Sequence, residues 1–232
     1  MGSGMIDFSL WDSLLREYVN QSGQVDYQRW QLETQGELDQ WLNTVSNLQL
    51  NELKDAESLS FLINIYNALV IAKILKKYPI KSILPRTLGV PNWLAFFIFF
   101  SQPVHKLNNQ QVSLNDIEHK ILRQQWQEPR IHFALVCAAI GCPLLRNEAY
   151  QPEFVYDQLE ADAVRFINNT DKVSYDPELN QLLCSKIFKW YEKDFLYHSN
   201  SVADYIKSYL RIPITEPISI QYLPYNWQLN EQ

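Results

Sequence analysis

Residues 59–75 read LSFLINIYNALVIAKIL, and this stretch decides how the rest of the chain must fold. It forms the interior of the longest helical pattern in the sequence, residues 52–78. A helix that is apolar on nearly every side is buried on every side, so we expect a central helix surrounded by other elements. Asn64 and Asn67 are polar exceptions within it. They either tie the helix to neighbouring backbone or line a cleft, because a buried amide without a partner costs about 1–3 kcal/mol.

A second stretch, SLNDIEHKILRQQWQEPRIHFALVCAAIGCPLL (residues 113–145), carries most of the side chains capable of chemistry. It holds two of the four histidines and two of the three cysteines. The pattern predicts a helix that begins at Ser113 or Asn115 and ends near Pro129, since the residue before a proline avoids helical geometry. The apolar run 131–137 then predicts a short strand, which is followed by a loop.

Five segments of the chain carry a family resemblance. FLINIYNALVI, SLNDIEHKILR, EPRIHFALVCAAIGCPLL, SKIFKWYEKDF and YLPYNWQLN resemble the motifs of the domain of unknown function 547 family. The resemblance runs over residues 25–230, nearly the whole chain. It implies membership of an uncharacterised family and no particular reaction. Many members carry a histidine where this chain has Ala72, which weakens any activity assigned to the central helix.

The bulk composition narrows the possible functions. A net charge of -6, with no basic run longer than Lys76-Lys77, argues against a nucleic-acid surface. Three cysteines are too few for a disulfide framework, so we expect a reducing compartment and a cytoplasmic protein. The most apolar run, residues 93–100, is far shorter than the about 20 residues that span a bilayer. We expect a buried strand there rather than a membrane-facing patch, and no transmembrane segment.

The order of the predicted elements indicates a helix-rich α+β protein, with helices first and short strands among helices later. We expect residues 1–4 to be an artificial leader, residues 5–24 an N-terminal helix, and residues 25–232 a single globular domain. A long buried helix packed on a small antiparallel sheet is loosely similar to papain-like and transglutaminase-like folds. Those folds place the nucleophilic cysteine at the start of the central helix, where this chain has Ser58 and Ser60.

A thiol-dependent site needs a nucleophilic cysteine, a base, and a group that orients the base. The candidate nucleophiles are Cys137 and Cys142, of which we predict Cys137. His119 and His132 are the candidate bases, and Glu118 or an asparagine is the orienting group. Along a regular strand His132 and Cys137 point to opposite faces, so His119 is the freer partner. The predicted substrate-binding side chains are Arg123, Asn64, Asn67, Cys142 and Arg130. Each residue also has a structural interpretation, as a buried thiol, a core histidine or a solvated helix face.

Other chemistry has weaker support in the sequence. The Glu-His pair, the second histidine and the two cysteines offer enough ligands for zinc, but their spacing matches no zinc motif. Four residues separate Cys137 from Cys142, which does not match a CxxC redox pair. Phosphate-binding glycine loops and the GxSxG elbow are absent from the sequence. We therefore expect no cofactor and no bound metal.

Two functions from different classes remain. The first is a thiol-dependent hydrolase or transferase that acts on a small-molecule or peptide ligand through a Cys/His cleft. The second is a non-catalytic binding or scaffold module that recognises a peptide or a small anion through the same polar cluster. Both interpretations require the ionisable side chains of residues 113–145 to lie close together in the folded protein.

Overall fold

The computed structural model describes residues 6–46, 48–212, 214 and 218–232, and the predicted leader at residues 1–4 lies outside them. The helices are α1 (Ser9–Tyr18), α2 (Tyr27–Glu33), α3 (Gln35–Thr44), α4 (Asp55–Leu75), α5 (Trp93–Ser101), α6 (Arg123–Trp126), α7 (Val155–Ile167), α8 (Ile187–Trp190), α9 (Glu192–Leu196) and α10 (Val202–Tyr209). The strands are β1 (Arg86–Thr87), β2 (Val90–Pro91), β3 (His105–Leu107), β4 (Gln110–Val112), β5 (Val173–Asp176), β6 (Gln181–Cys184) and β7 (Ser219–Tyr222). A π-helical segment, Asp116–Leu122, runs into α6, and 3₁₀ turns cover Leu50–Glu52 and Pro129–Phe133.

Helix α4 is the predicted central helix. Residues 58–72 are all buried, as an all-round apolar pattern requires. Its first turn is closed by the Glu57 carboxylate, which accepts the backbone N–H of Lys54 at 2.9 Å. The helix packs against α2, α3, α7 and the π-helical segment. It is long and apolar enough to cross a membrane, but it lies wholly inside the protein, as the core helix of a folded domain does.

An aromatic layer joins the N-terminal helices to α4. The ring of Trp11 stacks on Trp41 with centroids 5.7 Å apart, and the Trp11 indole donates to the side-chain oxygen of Asn64 at 3.1 Å. Helix α1 is therefore part of the main core, and its buried face matches the predicted amphipathic pattern.

The strands form small separate sheets, which confirms the α+β class. One of these sheets is the hairpin of β3 and β4, in which Asn108 and Asn109 supply the two positive φ angles of the turn. The other main sheet has the order β5-β6-β7, with an antiparallel and a parallel pair. This sheet covers a second hydrophobic cluster with α7 and α10, so α4 is surrounded mainly by helices.

Two predicted strands are wrong. Residues 93–100 fall in helix α5, which starts at Asn92, whose side chain accepts the Ala95 N–H at 2.9 Å. Residues 131–137 form the end of a 3₁₀ turn followed by irregular chain. A short apolar run does not distinguish a strand from a helix by its periodicity, and in both places a local capping group decided the outcome.

The two hydrophobic clusters meet around one aromatic residue. Phe133 belongs to the second cluster, whereas Ile131 and Leu135 belong to the first. Tyr225, near the C-terminal end of the chain, packs against both clusters. The segment that carries His132 and Cys137 therefore runs along the boundary between them.

Candidate active site

A cavity of about 490 Å³ brings together side chains from distant parts of the chain. Its polar lining consists of Tyr66, Asn115, Glu118, His119, Arg123, His132, Cys137, Cys142, Tyr191 and Tyr225. Its apolar lining includes Trp93, Phe96, Phe97, Phe100, Trp190 and Trp227. Six of the nine predicted site residues thus line one cavity, although their chemical roles remain predictions.

Asp194 on α9 anchors the charged side chains of this site. Its carboxylate accepts a bidentate pair of hydrogen bonds from Arg123, with Nε at 2.6 Å and Nη2 at 2.8 Å. The Nε2 atom of His132 lies 2.7 Å from the same carboxylate. Burial alone would raise the pKa of Asp194, but the bonds from His132 and Arg123 outweigh it and hold that pKa far below 3.8. Asp194 is therefore an ionised acceptor at neutral pH.

The ionised carboxylate fixes the tautomer of His132. A carboxylate can only accept, so the proton of the neutral imidazole lies on Nε2 and the Nδ1 lone pair is free. Complete burial lowers the pKa of His132 below 6.5, against the opposing effect of Asp194. His132 is thus a neutral imidazole at physiological pH, held in one orientation, which is the state a general base requires.

Tyr191 fixes the plane of that imidazole. The His132 ring stacks on the Tyr191 ring with centroids 3.7 Å apart, and the Arg123 guanidinium lies 5.2 Å from the Tyr191 ring centroid. The stacking and the bond to Asp194 together restrict both torsion angles of the histidine side chain. The imidazole is therefore pre-organised before any ligand binds.

Glu118 is a buried carboxylate that does not orient either histidine. Its two oxygens accept hydrogen bonds from the hydroxyl groups of Tyr66 (3.0 Å) and Tyr191 (2.5 Å). Burial, and then the charge of Glu118, raises the pKa of both phenols well above 10.0, so they remain donors. The nearest oxygen of Glu118 lies 3.9 Å from His119 Nδ1, beyond hydrogen-bond distance. The orienting role predicted for Glu118 belongs geometrically to Asp194, which bonds His132 instead.

His119 and Arg123 lie on one face of their helix, as their four-residue spacing predicts. The Arg123 Nη1 atom lies 3.0 Å from His119 Nδ1. Because a guanidinium only donates, Nδ1 accepts this bond and the imidazole proton is on Nε2. His119 is partly exposed at the cavity wall, in contrast to the buried His132.

Cys137 and Cys142 form a disulfide, so the expectation that these cysteines are unpaired is wrong. Ala138, in the loop that the disulfide closes, adopts a positive φ of 62°, which is uncommon for a residue other than glycine. The Tyr225 hydroxyl donates to Cys142 Sγ at 3.2 Å and lies 3.5 Å from Cys137 Sγ. Cys142 is buried, whereas Cys137 is partly exposed at the cavity surface. The third cysteine, Cys184, is a buried free thiol.

The C-terminal segment, residues 225–230, holds this disulfide loop in place. The backbone N–H groups of Ile140 and Gly141 donate to carbonyl groups of the segment, each at 2.8 Å, and Ala138 accepts a third bond from it at 3.1 Å. A Cβ atom on Gly141 would lie 2.8 Å from the ring of Tyr225. Only glycine therefore lets Tyr225 approach the two sulfur atoms this closely.

One family model matches this chain. It describes a protein of unknown function, DUF547, and it matches residues 50–167, just over half of the sequence. The chain belongs to the DUF547 family. No curated protein and no solved structure matches the chain. The likeness to papain-like and transglutaminase-like folds therefore stays a prediction. The cavity is lined by Tyr66, in the middle of α4, whereas Ser58 and Ser60 at its start are buried elsewhere.

The DUF547 match covers only part of the cavity. Eight of its ten polar lining residues, from Tyr66 to Cys142, lie within the matched range. Tyr191, Asp194, Tyr225 and Trp227 lie beyond residue 167. The groups that orient His132 and cover the disulfide thus come from the later part of the chain.

Three predicted site residues lie outside the cavity. Asn64 accepts a bond from Trp11 and pairs with the backbone of Tyr150, and both contacts are buried. Asn67 donates to the Ala134 carbonyl at 3.0 Å and accepts the Val136 N–H at 2.9 Å. Arg130 pairs with two glutamates, Glu128 and Glu160. The asparagines tie α4 to neighbouring backbone, and Asn67 does so beside the segment that carries His132 and Cys137.

The site residues predicted from the sequence did not include Tyr191, Asp194, Tyr225 and Trp227. All four lie in the segments SKIFKWYEKDF and YLPYNWQLN, which were noted for their family resemblance and not for chemistry. The signal available was the composition of those segments, in which aromatic residues with polar tips flank a single aspartate. His132 and Asp194 are 62 positions apart in the sequence, so no local pattern could predict their contact.

A metal site finds no support in the described part of the chain. Across residues 6–46, 48–212, 214 and 218–232, no group of three or more His, Cys, Asp or Glu side chains could hold a metal ion. The arginine bound to Asp194 and the tyrosines bound to Glu118 occupy the carboxylates that a cation would need.

Proposed function

We propose that this DUF547 protein is a thiol-dependent hydrolase or transferase of acyl groups. Cys137 is its nucleophile, His132 its general base, and Asp194 the residue that orients the base. One observation carries the proposal: a buried, neutral histidine with its Nε2 proton bound by Asp194 lines the same cavity as a partly exposed cysteine sulfur. Nucleophile, base and orienting carboxylate are the three parts that thiol catalysis requires.

The reaction follows in two steps. In the first, His132 Nδ1 takes the thiol proton of reduced Cys137, and the thiolate attacks the carbonyl carbon of an ester, thioester or amide. The bond to the leaving group breaks, and His132 returns the proton to that group. In the second, water or an acceptor amine attacks the thioester carbon while His132 takes its proton. Cys137 then leaves as a thiolate and is reprotonated.

The remaining polar residues support these steps. Tyr225 donates to the sulfur pair, and the same hydroxyl can stabilise a thiolate at that position. Arg123 was predicted to bind substrate, but its donors are engaged by Asp194 and His119, so we assign it to positioning these two groups. Asn64, Asn67 and Arg130 take no part in binding in this proposal.

The disulfide makes the activity depend on a reductant. A dithiol that supplies two electrons and two protons converts the Cys137–Cys142 disulfide to two thiols and becomes a disulfide itself. In the cytoplasm, where we propose that the protein works, glutathione and thioredoxin keep most thiols reduced. Cys137 would then be free under working conditions, and Cys142 would be its resolving partner after oxidation.

The alternative is a non-catalytic binding or scaffold module that recognises a peptide or small anion. The observation in its favour is that the disulfide occupies both sulfur atoms of the cavity. The aromatic lining would then supply most of the contact area with the ligand, since buried aromatic rings contribute strongly to binding.

The test is acyl transfer from p-nitrophenyl acetate to the protein with and without dithiothreitol. We expect a burst of one equivalent of p-nitrophenolate only in the reduced protein, with an acetyl group on Cys137 by mass spectrometry. Cys142→Ala should give the burst without reductant, because Cys137 then has no disulfide partner. Cys137→Ala should abolish it.

Cys184→Ala is the matched control, because Cys184 is the buried thiol outside the cavity and burial raises its pKa to about 12. It should leave the burst unchanged. A binding module would show no burst in any variant, and Cys137 would react with iodoacetamide with a pKa near the ordinary value of about 8.5. Either result would remove the enzyme proposal.

A further inference from the structure

Helix α5 and the turn before it expose an unusual set of apolar side chains. Leu94 is 70% exposed, Phe97 58% and Ile98 52%, although the helix buries Phe99 and Phe100 on its other side. At the tip of the β1–β2 hairpin, Leu88 is 99% exposed. Scattered single apolar residues are normal on a protein surface, but a contiguous group in residues 88–98 indicates an interaction site.

The hairpin tip is a costly place for a leucine. Leu88 and Gly89 occupy the two positive-φ positions of the turn, at 51° and 81°. Asparagine, aspartate or glycine are the residues that such a turn favours, because a branched side chain is strained there. The leucine side chain makes almost no contact with the protein, so it gains nothing in return within the described structure.

The part of the sequence that contains this surface has basic residues and no acidic ones. Between Glu57 and Asp116 the sequence contains six of the twenty Lys and Arg residues and none of the twenty-six Asp and Glu residues. The six basic residues are Lys73, Lys76, Lys77, Lys81, Arg86 and Lys106. Lys81 and Arg86 are exposed, and Arg86 lies on β1, in the same hairpin as Leu88. Lys73 and Lys77 have their Nζ atoms 4.7 and 5.2 Å from the Phe99 ring, on the buried side of α5 rather than on its exposed face. Within the described residues, the member of this group that forms an ion pair with a carboxylate is Lys76, which lies 3.4 Å from Asp39.

We propose that α5 and the β1–β2 hairpin form a docking surface for a bilayer that contains anionic lipids. The exposed apolar side chains enter the boundary between headgroups and acyl chains, and the exposed Lys81 and Arg86 contact the anionic headgroups. Trp93, which is exposed at the start of α5, is the residue type that prefers this boundary. The protein as a whole is acidic, so this basic region stands out against it.

A second copy of the chain fits this surface less well. A two-fold symmetric contact would bring the same basic residues from both copies together, and like charges in contact oppose association. An anionic bilayer instead matches both the apolar and the basic parts of the surface at once. The charge distribution therefore decides between the two occupants.

The docking surface continues into the cavity. Trp93, Phe96 and Phe97 on α5 are also lining residues of the cavity. A bound bilayer would therefore lie next to its apolar lining. The docking itself rests on the surface residues alone and is independent of the chemistry proposed for Cys137.

The test is co-sedimentation of the full chain with lipid vesicles at low salt. We expect binding to vesicles of phosphatidylcholine with phosphatidylglycerol, weakened by salt, and at least about tenfold weaker binding to pure phosphatidylcholine, since each basic residue near an anionic surface strengthens binding about fivefold. The variant Leu88→Ser/Phe97→Ser should bind more than about tenfold more weakly. Lys81→Gln/Arg86→Gln should lower binding about 25-fold, about fivefold for each residue.

Matched controls come from exposed residues elsewhere on the protein. Leu32→Ser/Leu179→Ser removes two equally exposed leucines, and Lys193→Gln removes an exposed lysine on α9. Both should bind vesicles as the wild type does, and thermal melting should show that all variants are folded. Failure of the wild type to bind anionic vesicles, or equal binding by the Leu88/Phe97 variant, would overturn the proposal. A dimer in sedimentation velocity that this variant abolishes would identify a second copy as the occupant.

Discussion

Asp162, which is buried, and Asp194, which is partly buried, are two aspartates that each bind an arginine in different surroundings. Asp162 accepts hydrogen bonds from Arg146 at 2.8 Å, Arg165 at 2.6 Å and the Tyr150 hydroxyl at 2.6 Å. Asp194 accepts from Arg123 and His132 at comparable distances. An aspartate bound by arginine is thus present at both places, and Asp194 is the one whose partners Arg123 and His132 line the cavity.

The difference lies in what each aspartate holds. Burial raises the pKa of Asp162 above 3.8, an effect that Arg146, Arg165 and Tyr150 reduce, and no histidine is among these partners. Asp194 instead has a lowered pKa and fixes a neutral histidine on a cavity wall. A buried ion pair is therefore no sign of function by itself. A functional candidate is a pair that orients a titratable base toward accessible space.

The largest effect that we expect on stability comes from Asp162→Asn. This change leaves Arg146 and Arg165 without their shared buried carboxylate, and it should lower the free energy of unfolding by about 3 kcal/mol. Urea denaturation measures it. Asp157→Asn, an exposed position on the same helix, should change stability by less than about 0.5 kcal/mol. The folded Asp162→Asn protein should keep the full p-nitrophenolate burst rate.

Asp194→Asn should have a smaller effect on stability, about 2 kcal/mol, because Arg123 at this site is less buried. Its effect on chemistry should be much larger. An asparagine no longer favours the Nε2 tautomer of His132, so the acylation rate of reduced Cys137 should fall by about 100-fold or more. Glu192→Gln, an exposed change on α9, is the control. If Asp162→Asn slows acylation as much as Asp194→Asn does, the contrast between the two aspartates fails.

The smallest effect that we expect is in the dependence of the free energy of unfolding on pH, to which His132 contributes and Asp194 does not. Because the folded-state pKa of His132 is lowered, the unfolded chain takes up a proton near pH 6.5 that the folded chain does not. Stability should therefore fall as the pH drops below about 6.5, with a slope of at most about 1.4 kcal/mol per pH unit from this residue. Asp194 contributes no change in this window, because its stabilisation is lost only below pH 3.8.

His132→Gln should remove about one proton from that slope, measured by urea denaturation from pH 7 to pH 5. Some slope should remain, because burial also lowers the pKa of His105. An equal slope in the wild type and in His132→Gln would show that His132 is not held neutral in the folded protein.

The sequence predicted the elements whose patterns are long. The long apolar run of residues 59–75 predicts helix α4, and the turn residues Asn108 and Asn109 are typical of the β3–β4 hairpin. The cavity also follows in part, because the side chains of residues 118–142 are close in the sequence. The short runs 93–100 and 131–137 were wrong because seven or eight apolar residues fit a strand and a helix equally well.

The remaining parts depend on contacts over long sequence separations. The partners of His132 and of the disulfide loop come from segments 62 and 83–88 residues further along the chain. The pairing of Cys137 with Cys142 depends on the backbone of Ala138 and on the neighbouring C-terminal segment. The composition of a segment can mark Asp194 and Tyr225 as candidates, but it does not show which distant residues they contact, so their partners could not be predicted from the sequence.

The distribution of the cavity walls along the chain has a practical consequence for cloning. A gene fragment trimmed to residues 50–167 would encode α4, both histidines and both cysteines of the cavity. It would omit Tyr191, Asp194 and Tyr225, and the sulfur atoms of Cys137 and Cys142 would lose the contact with Tyr225. Expression plasmids designed around the recognised region should therefore extend through residue 230, or the purified fragment will report on a site with one side missing.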